Sequence, residues 1–180
     1  MTHEHTDPQD SQDTPSDRKT QRNRLWDLIK DIRFAMFTTR HANGHLHARP
    51  MTTQNALIDE DSTLWFFMSR GGEPVADLLL EPNVNVTYAD TGADAYVSVA
   101  GTASVVDDPA KKQLLWSPLA AAWFPGGAQD PDLALVRVRI THADTWDVKA
   151  NKVVQLFRMA SAAITGNPPA ILGDHAVIRM

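Results

Sequence analysis

The chain reads as mainly β with some helix, an α+β protein built as a small antiparallel barrel with peripheral helices. Three observations carry that reading. Short alternating runs of β-branched and aromatic residues recur along the chain, Asn-Gly and Asp-rich turns separate them, and helical stretches are inserted singly instead of alternating strand for strand. A doubly wound parallel sheet needs the regular βαβ alternation that is missing here.

The 180 residues include 43% apolar side chains, 22% charged ones and no cysteine. A chain of this size buries a sufficient core as one domain of about 100–200 residues. Without cysteine there is no disulfide, thiolate metal site or cysteine nucleophile, which suits a reducing compartment, and a cytoplasmic location is expected. Leu64–Met68 and Leu119–Phe124 are the longest apolar stretches, far short of the roughly 18 residues of a spanning helix. The N-terminus carries no signal-like pattern of basic then apolar residues. Net charge is −5, and residues 1–20 hold −3 of it through Glu4, Asp7, Asp10, Asp13 and Asp17 against Arg18 and Lys19. The nearly neutral remainder lacks the basic face of a nucleic-acid binder, so a small-molecule partner is expected.

Residues 1–20 hold no apolar residue beyond Met1 and are expected to form a disordered acidic arm ahead of a single domain over 21–180. Leu25, Leu28, Ile29 and Ile32 then follow helical spacing. Phe34–Arg40 and His45–Arg49 flank Asn43-Gly44, which predicts a two-residue type I′ hairpin. That turn would set Ala42 opposite His45, Arg40 opposite His47 and Thr38 opposite Arg49. Thr63–Ser69 is the third strand. Gly71-Gly72 and Pro74 open a helix to Leu80, and Glu81-Pro82-Asn83 closes it. Val84–Tyr88 and Tyr96–Val106 alternate as strands, with Gly101 marking a bulge or bend. A short helix from Pro109 to about Trp116 is capped by Asp107 or Asp108, and residues 117–132 form an ordered loop. Leu133–Ile140 alternates most strictly and is expected to run on toward Trp146. A helix is predicted at about 153–165, starting near Val153 and stopped by Gly166-Asn167-Pro168-Pro169, before a polar-ended tail. No internal repeat is present.

The chain lacks G-x-G-x-x-G, G-x-x-x-x-G-K-[ST], G-x-S-x-G and H-E-x-x-H, which removes the common nucleotide-binding, serine-hydrolase and zincin classes. His41, His45 and His47 invite a metal reading, but no carboxylate lies in their strand pair, so no metal is expected. Asp107-Asp108-Pro109 and Asp130-Pro131 read as a cap and a turn before they read as acid/base pairs. Arg49 stands at a strand end before Pro50, where the ladder loses a donor. On the local pattern alone it is a solvated edge arginine. Trp116, Trp123 and Phe124, set among prolines and glycines, suit a planar ligand or a subunit interface as well as plain core.

Leu46–Met51, Leu64–Phe67, Glu81–Tyr88, Tyr96–Ala103, Leu115–Pro118, Trp123–Gly127 and Asp130-Pro131, in this order over about residues 22–150, resemble the general stress protein branch of the pyridoxamine 5′-phosphate oxidase-like flavoproteins. The resemblance implies a six-stranded antiparallel split β-barrel, a homodimer, and FMN bound at the subunit interface with a flavin-dependent redox role. It places Arg49, Pro50, Met51 and Thr52 beside the flavin on one strand, Phe66, Phe67, Met68 and Ser69 on the next, and Trp116 near the dimer cleft. The phosphate loop departs from the family pattern: Ser69-Arg70-Gly71-Gly72-Glu73-Pro74 has Gly72 and Pro74 where a hydroxyl and a lysine are usual. Phosphate charge then falls to Arg49, the expected chief contact, and to Arg70, aided by glycine N–H groups, while Glu73 opposes it. Two alternatives stand beside the flavoprotein: a split-barrel ligand-binding or interaction protein without FMN, and a related deazaflavin reductase or haem-handling protein.

Overall fold

The computed structural model describes residues 14–147 and 174–179. Among the described residues there are seven antiparallel strands and three α-helices. Helix α1 (Pro15–Ile29) precedes β1 (Ala35–Arg40), β2 (Leu46–Met51) and β3 (Thr63–Ser69); α2 (Glu73–Leu80) leads to β4 (Asn83–Asp90) and β5 (Ala95–Val106); α3 (Pro109–Leu115) leads to β6 (Leu133–Asp147) and β7 (Asp174–Arg179). The sheet runs β2-β1-β4-β5-β6-β3, with β7 paired to the far half of β6. It does not close into a ring. Its two rims, β2 and β3, approach through the bridge Thr53↔Phe66 and the bond from Gln54 N to Trp65 O, 2.8 Å. This is a split barrel.

Side chains on the inner face form the core. Phe37, Phe66, Val86, Tyr88, Val97, Val99, Val136 and Val138 are fully buried, Leu25 and Ile29 of α1 and Val75 and Leu78 of α2 join them, and Phe37 meets Phe66 edge to face. A second cluster lies outside the barrel wall, where Trp65, Phe67, Leu133 and Leu135 pack under Phe124 and Trp116. Alternation explains the division, since even and odd positions of β3 face opposite sides.

Three expectations need correction. Helix α1 begins at Pro15, inside the stretch expected to be disordered, because Thr14 and Asp17 form a capping box and proline suits the first turn. Its burial is confined to Leu25 and Ile29 at the other end. The β1–β2 register is one residue away from the expected one: Thr39 opposes His47 and Phe37 opposes Arg49. Within the turn Gly44, and not Asn43, takes positive φ, at 86°, and its N–H returns to His41 O while His41 N bonds His45 O. The connection is therefore a longer turn closed by a left-handed glycine. A one-residue slip exchanges faces, so His47 and Arg49 share the inner side with Phe37 and Thr39. The third correction is the polar-ended tail, part of which forms a strand, β7, beside the six of the sheet path. Its Ile178 is buried in the core. Of the two expected caps of α3, Asp108 is the one used, accepting from Lys111 N at 2.8 Å. The ordered loop 117–132 holds two short 3-10 turns, Ala120–Ala122 and Gly127–Gln129. The helix expected at about 153–165 lies outside the described residues.

Candidate functional site

The open seam between β2 and β3 is where the structure gathers most of the expected site. Pro50 is exposed, and Met51 and Thr52 are half-buried. Thr53 then crosses to Phe66 and fixes its hydroxyl 2.7 Å from the Tyr88 hydroxyl. Burial pushes the Tyr88 phenol well above its ordinary value, and the Thr53 contact only partly opposes this. The backbone of β3 beyond this bridge lies on a sheet rim. Phe66 and Met68 point into the core, so only their main chains face the seam. Phe67 points to the outer cluster, 6.1 Å from the Trp116 ring and 6.5 Å from Phe124. Trp116 thus joins the β3 wall from outside. Its neighbour Trp123 stays 79% exposed. The indole Nε1 of buried Trp65 has no hydrogen-bond acceptor among the described residues.

Arg49 projects to the inner face near the start of α2. Its Nη1 donates to Thr39 Oγ1 at 2.8 Å, its Nη2 donates to Glu73 Oε1 at 3.1 Å, and Asp77 Oδ2 lies 3.7 Å away. Thr39 in turn donates to Asp77 Oδ2 at 2.6 Å. His41 Nδ1 lies 2.8 Å from Asp77 Oδ1, and His47 Nδ1 lies 2.7 Å from Glu73 Oε1. The two imidazoles stack, centroids 5.1 Å apart and planes within 7°. Asp77 is 1% exposed. Burial acts to raise its carboxyl pKa, but the hydrogen bonds from Thr39 and His41 and the nearby charges of His41 and Arg49 prevail and hold it below the usual carboxylate range.

Thr39 and Asp77 are not singled out in the sequence, where His41 is set aside as a metal ligand and Glu73 figures only as opposing a phosphate. The available signal was the spacing of Glu73 and Asp77, four apart at the head of an otherwise apolar helix and so on one face. It pointed nowhere without the hairpin register that brings His47 and Arg49 to that face.

Arg70, exposed, reaches Pro131 O through Nε at 3.3 Å, and its N–H bonds Asp132 O. Gly71 N–H donates to Asp132 Oδ1 at 3.2 Å and Gly72 N–H to Ser69 O at 3.0 Å. Hydrogen bonds from the Ser69 side chain and the Gly71 backbone, with lesser help from Arg70, hold the Asp132 carboxyl below its ordinary value. Asp130 serves its turn, accepting from Gly126 N and Asp132 N, both at 2.9 Å.

An FMN molecule makes two demands of such a site. For the ring system, a seam with unpaired sheet rims and an aromatic wall is suitable. The phosphate end does not fit as it stands. Both glycine N–H groups have acceptors within the chain, and Arg49 is already shared between two carboxylates.

An antiparallel split barrel with a seam of this kind defines a class of fold. The sequence pattern described as pyridoxamine 5′-phosphate oxidase like matches residues 20–170, and the chain belongs to that family. The protein bli-3 of Neurospora crassa is 28% identical over 171 residues, covering 88% of this chain and 79% of that protein. A general stress FMN/FAD binding protein from Xanthomonas citri is 33% identical, with a TM-score of 0.62 over 75% of this chain and 94% of its own. A general stress protein 26 from Jannaschia sp. CCS1 superimposes with a TM-score of 0.67 at 24% identity, covering 92% and 99% of the two chains. The last shows the fold alone. No helix among the described residues is long and apolar enough to cross a membrane.

Proposed function

We propose that this protein is a flavin-binding split-barrel protein with a redox role, holding the isoalloxazine at the seam between Arg49–Thr52 and the β3 residues Phe66–Ser69. The observation that carries the reading is the Thr53↔Phe66 bridge, which sets these two segments side by side at an open sheet edge. Phe66 and Met68 contribute main chain, and Phe67 and Trp116 the aromatic wall. When bound, flavin supplies hydride or electron transfer, and the chain's contribution is to grip and orient it. No side chain is assigned as a catalytic acid or base. The protein acts as a homodimer in this reading, its interface built on the exposed Trp123 and Leu119 of the 116–127 loop.

The phosphate end sets FMN affinity. Arg49 faces a phosphate only when Glu73, half-exposed on the first turn of α2, turns away from it. Arg70 adds a weaker contact from the loop. Arg49→Ala should therefore weaken FMN by about tenfold, the scale of one charge-assisted hydrogen bond. Glu73→Gln should tighten FMN while leaving riboflavin unchanged. The deciding measurement is the visible spectrum of the purified protein followed by titration with each flavin. Bands near roughly 370 and 450 nm are expected of bound oxidised flavin.

A second reading is a split-barrel protein without FMN, binding another ligand or another protein. The in-chain partners of Gly71, Gly72 and Arg49 favour it. Absence of both bands, with no binding of FMN or riboflavin at about millimolar concentration, would put it first.

A further inference from the structure

We propose that His41, His47 and Glu73 form a site for a borderline divalent cation, zinc foremost. It does not depend on the flavin reading, although Glu73 borders the phosphate end of that reading. The two Nδ1 atoms and one carboxylate oxygen lie within 4.8 Å of one another. His47 Nδ1 is 2.7 Å and His41 Nδ1 is 3.7 Å from the same atom, Glu73 Oε1. Ligands about 2.0–2.1 Å from a tetrahedral zinc stand about 3.3 Å apart, so small side-chain rotations bring all three to bonding distance. The donors come from the turn after β1, from β2 and from α2. Two imidazoles with one carboxylate are the donor set of open zinc sites, leaving a fourth position for water.

Three features make the cluster more than a chance meeting of surface groups. The imidazole rings sit side by side with centroids 5.1 Å apart, and a turn of each ring brings its in-plane Nδ1 lone pair toward Glu73. Two carboxylates, Glu73 and Asp77, face the imidazole pair against the single guanidinium of Arg49. A further oxygen donor is at hand: Asp77 Oδ1 lies 2.8 Å from His41 Nδ1 and turns from that nitrogen to the metal once the metal displaces the shared proton. Arg49 loses part of its hold on Glu73 but keeps Thr39 at 2.8 Å and Asp77 at 3.7 Å.

The test uses the full chain as purified, without an affinity tag and with His3→Ala and His5→Ala, so that the N-terminal imidazoles do not compete. Zinc is titrated against a chromogenic chelator, and cobalt is added as a spectroscopic probe of geometry. One zinc per chain is expected, with visible cobalt bands of a tetrahedral or five-coordinate centre. His41→Ala, His47→Ala and Glu73→Gln should each weaken zinc by about tenfold or more. His45→Ala, in the same exposed turn but outside the cluster, should leave affinity unchanged. Glu73→Gln keeps shape and sits on an exposed turn, so it decides the matter even if a histidine variant fails to fold. No binding at about 100 μM free zinc, or affinity equal in wild type and Glu73→Gln, would overturn the proposal. Flavin absorbance followed in the same samples reads the flavin proposal separately.

Discussion

Asp77 holds one side of the seam through three neighbours, and its removal should be felt far more than that of any surface carboxylate. Its folded-state pKa is depressed, so the stabilisation it gives is present above the unfolded value of about 3.9 and disappears as pH falls through the folded value. Thermal unfolding followed from pH 7 downwards should show a decline setting in below about pH 4, and Asp77→Asn should flatten that decline. Arg49 is coupled to the same group. An exposed Arg49 would have been dispensable for stability, but its side chain is only 20% exposed and bonds Thr39. Arg49→Ala should cost about 1.5–3 kcal/mol in denaturant unfolding, and the flavin affinity of that variant has to be read at temperatures where it is folded. Tyr88→Phe tests the other side of the seam. Losing the 2.7 Å contact with Thr53 should cost about 1 kcal/mol.

At the level of elements, the β5–β6 ladder shows what a single glycine does. Register shifts between Ala100 and Gly101, and a Cβ on Gly101 would stand 2.5 Å from Arg139 O and 2.7 Å from Val138 Cγ1. Gly101→Ala should destabilise the protein by about 1–3 kcal/mol in chemical denaturation, since neither backbone nor a core valine yields easily. That bend was legible in the sequence because a glycine interrupted a clean alternation, Leu133–Ile140 was legible from its own alternation, and Thr63–Ser69 was legible as an aromatic run after the Asp59–Ser62 turn. The hairpin was legible as a hairpin and not in its register, since Asn-Gly serves both a two-residue turn and a longer one closed by Gly44. Strand β7 was not legible because Asp174-His175-Ala176 gives no alternation, and its place is decided by pairing with β6. The cluster of His41, His47, Arg49, Glu73 and Asp77 stayed hidden for a compound reason: it exists only when hairpin register and helix packing are both known. The start of α1 turned on one capping box, and Thr14→Ala should lower its helicity at a cost of about 1 kcal/mol or less.

For the whole molecule, assembly is the open quantity. A twofold dimer in sedimentation is expected, and Trp123→Ser should shift it toward monomer if that 79% exposed ring anchors the interface. A monomer at all micromolar concentrations would remove the dimer from the proposed function. The order of strands also bears on how the chain is made. β1 and β2 are neighbours in sequence and pair at once, and β4 follows onto β1. β3 has no ladder partner until β6 is synthesised, with Phe66 waiting for Val136. On the ribosome, the apolar run Leu64–Met68 is therefore left without its ladder neighbour while the intervening chain emerges, with the short-range Thr53↔Phe66 clasp as its early tether. Substitutions at Thr53 should then increase aggregation during refolding, read by light scattering, so the strip that gives the protein its binding edge is also the interval in which a nascent chain is most exposed to aggregation.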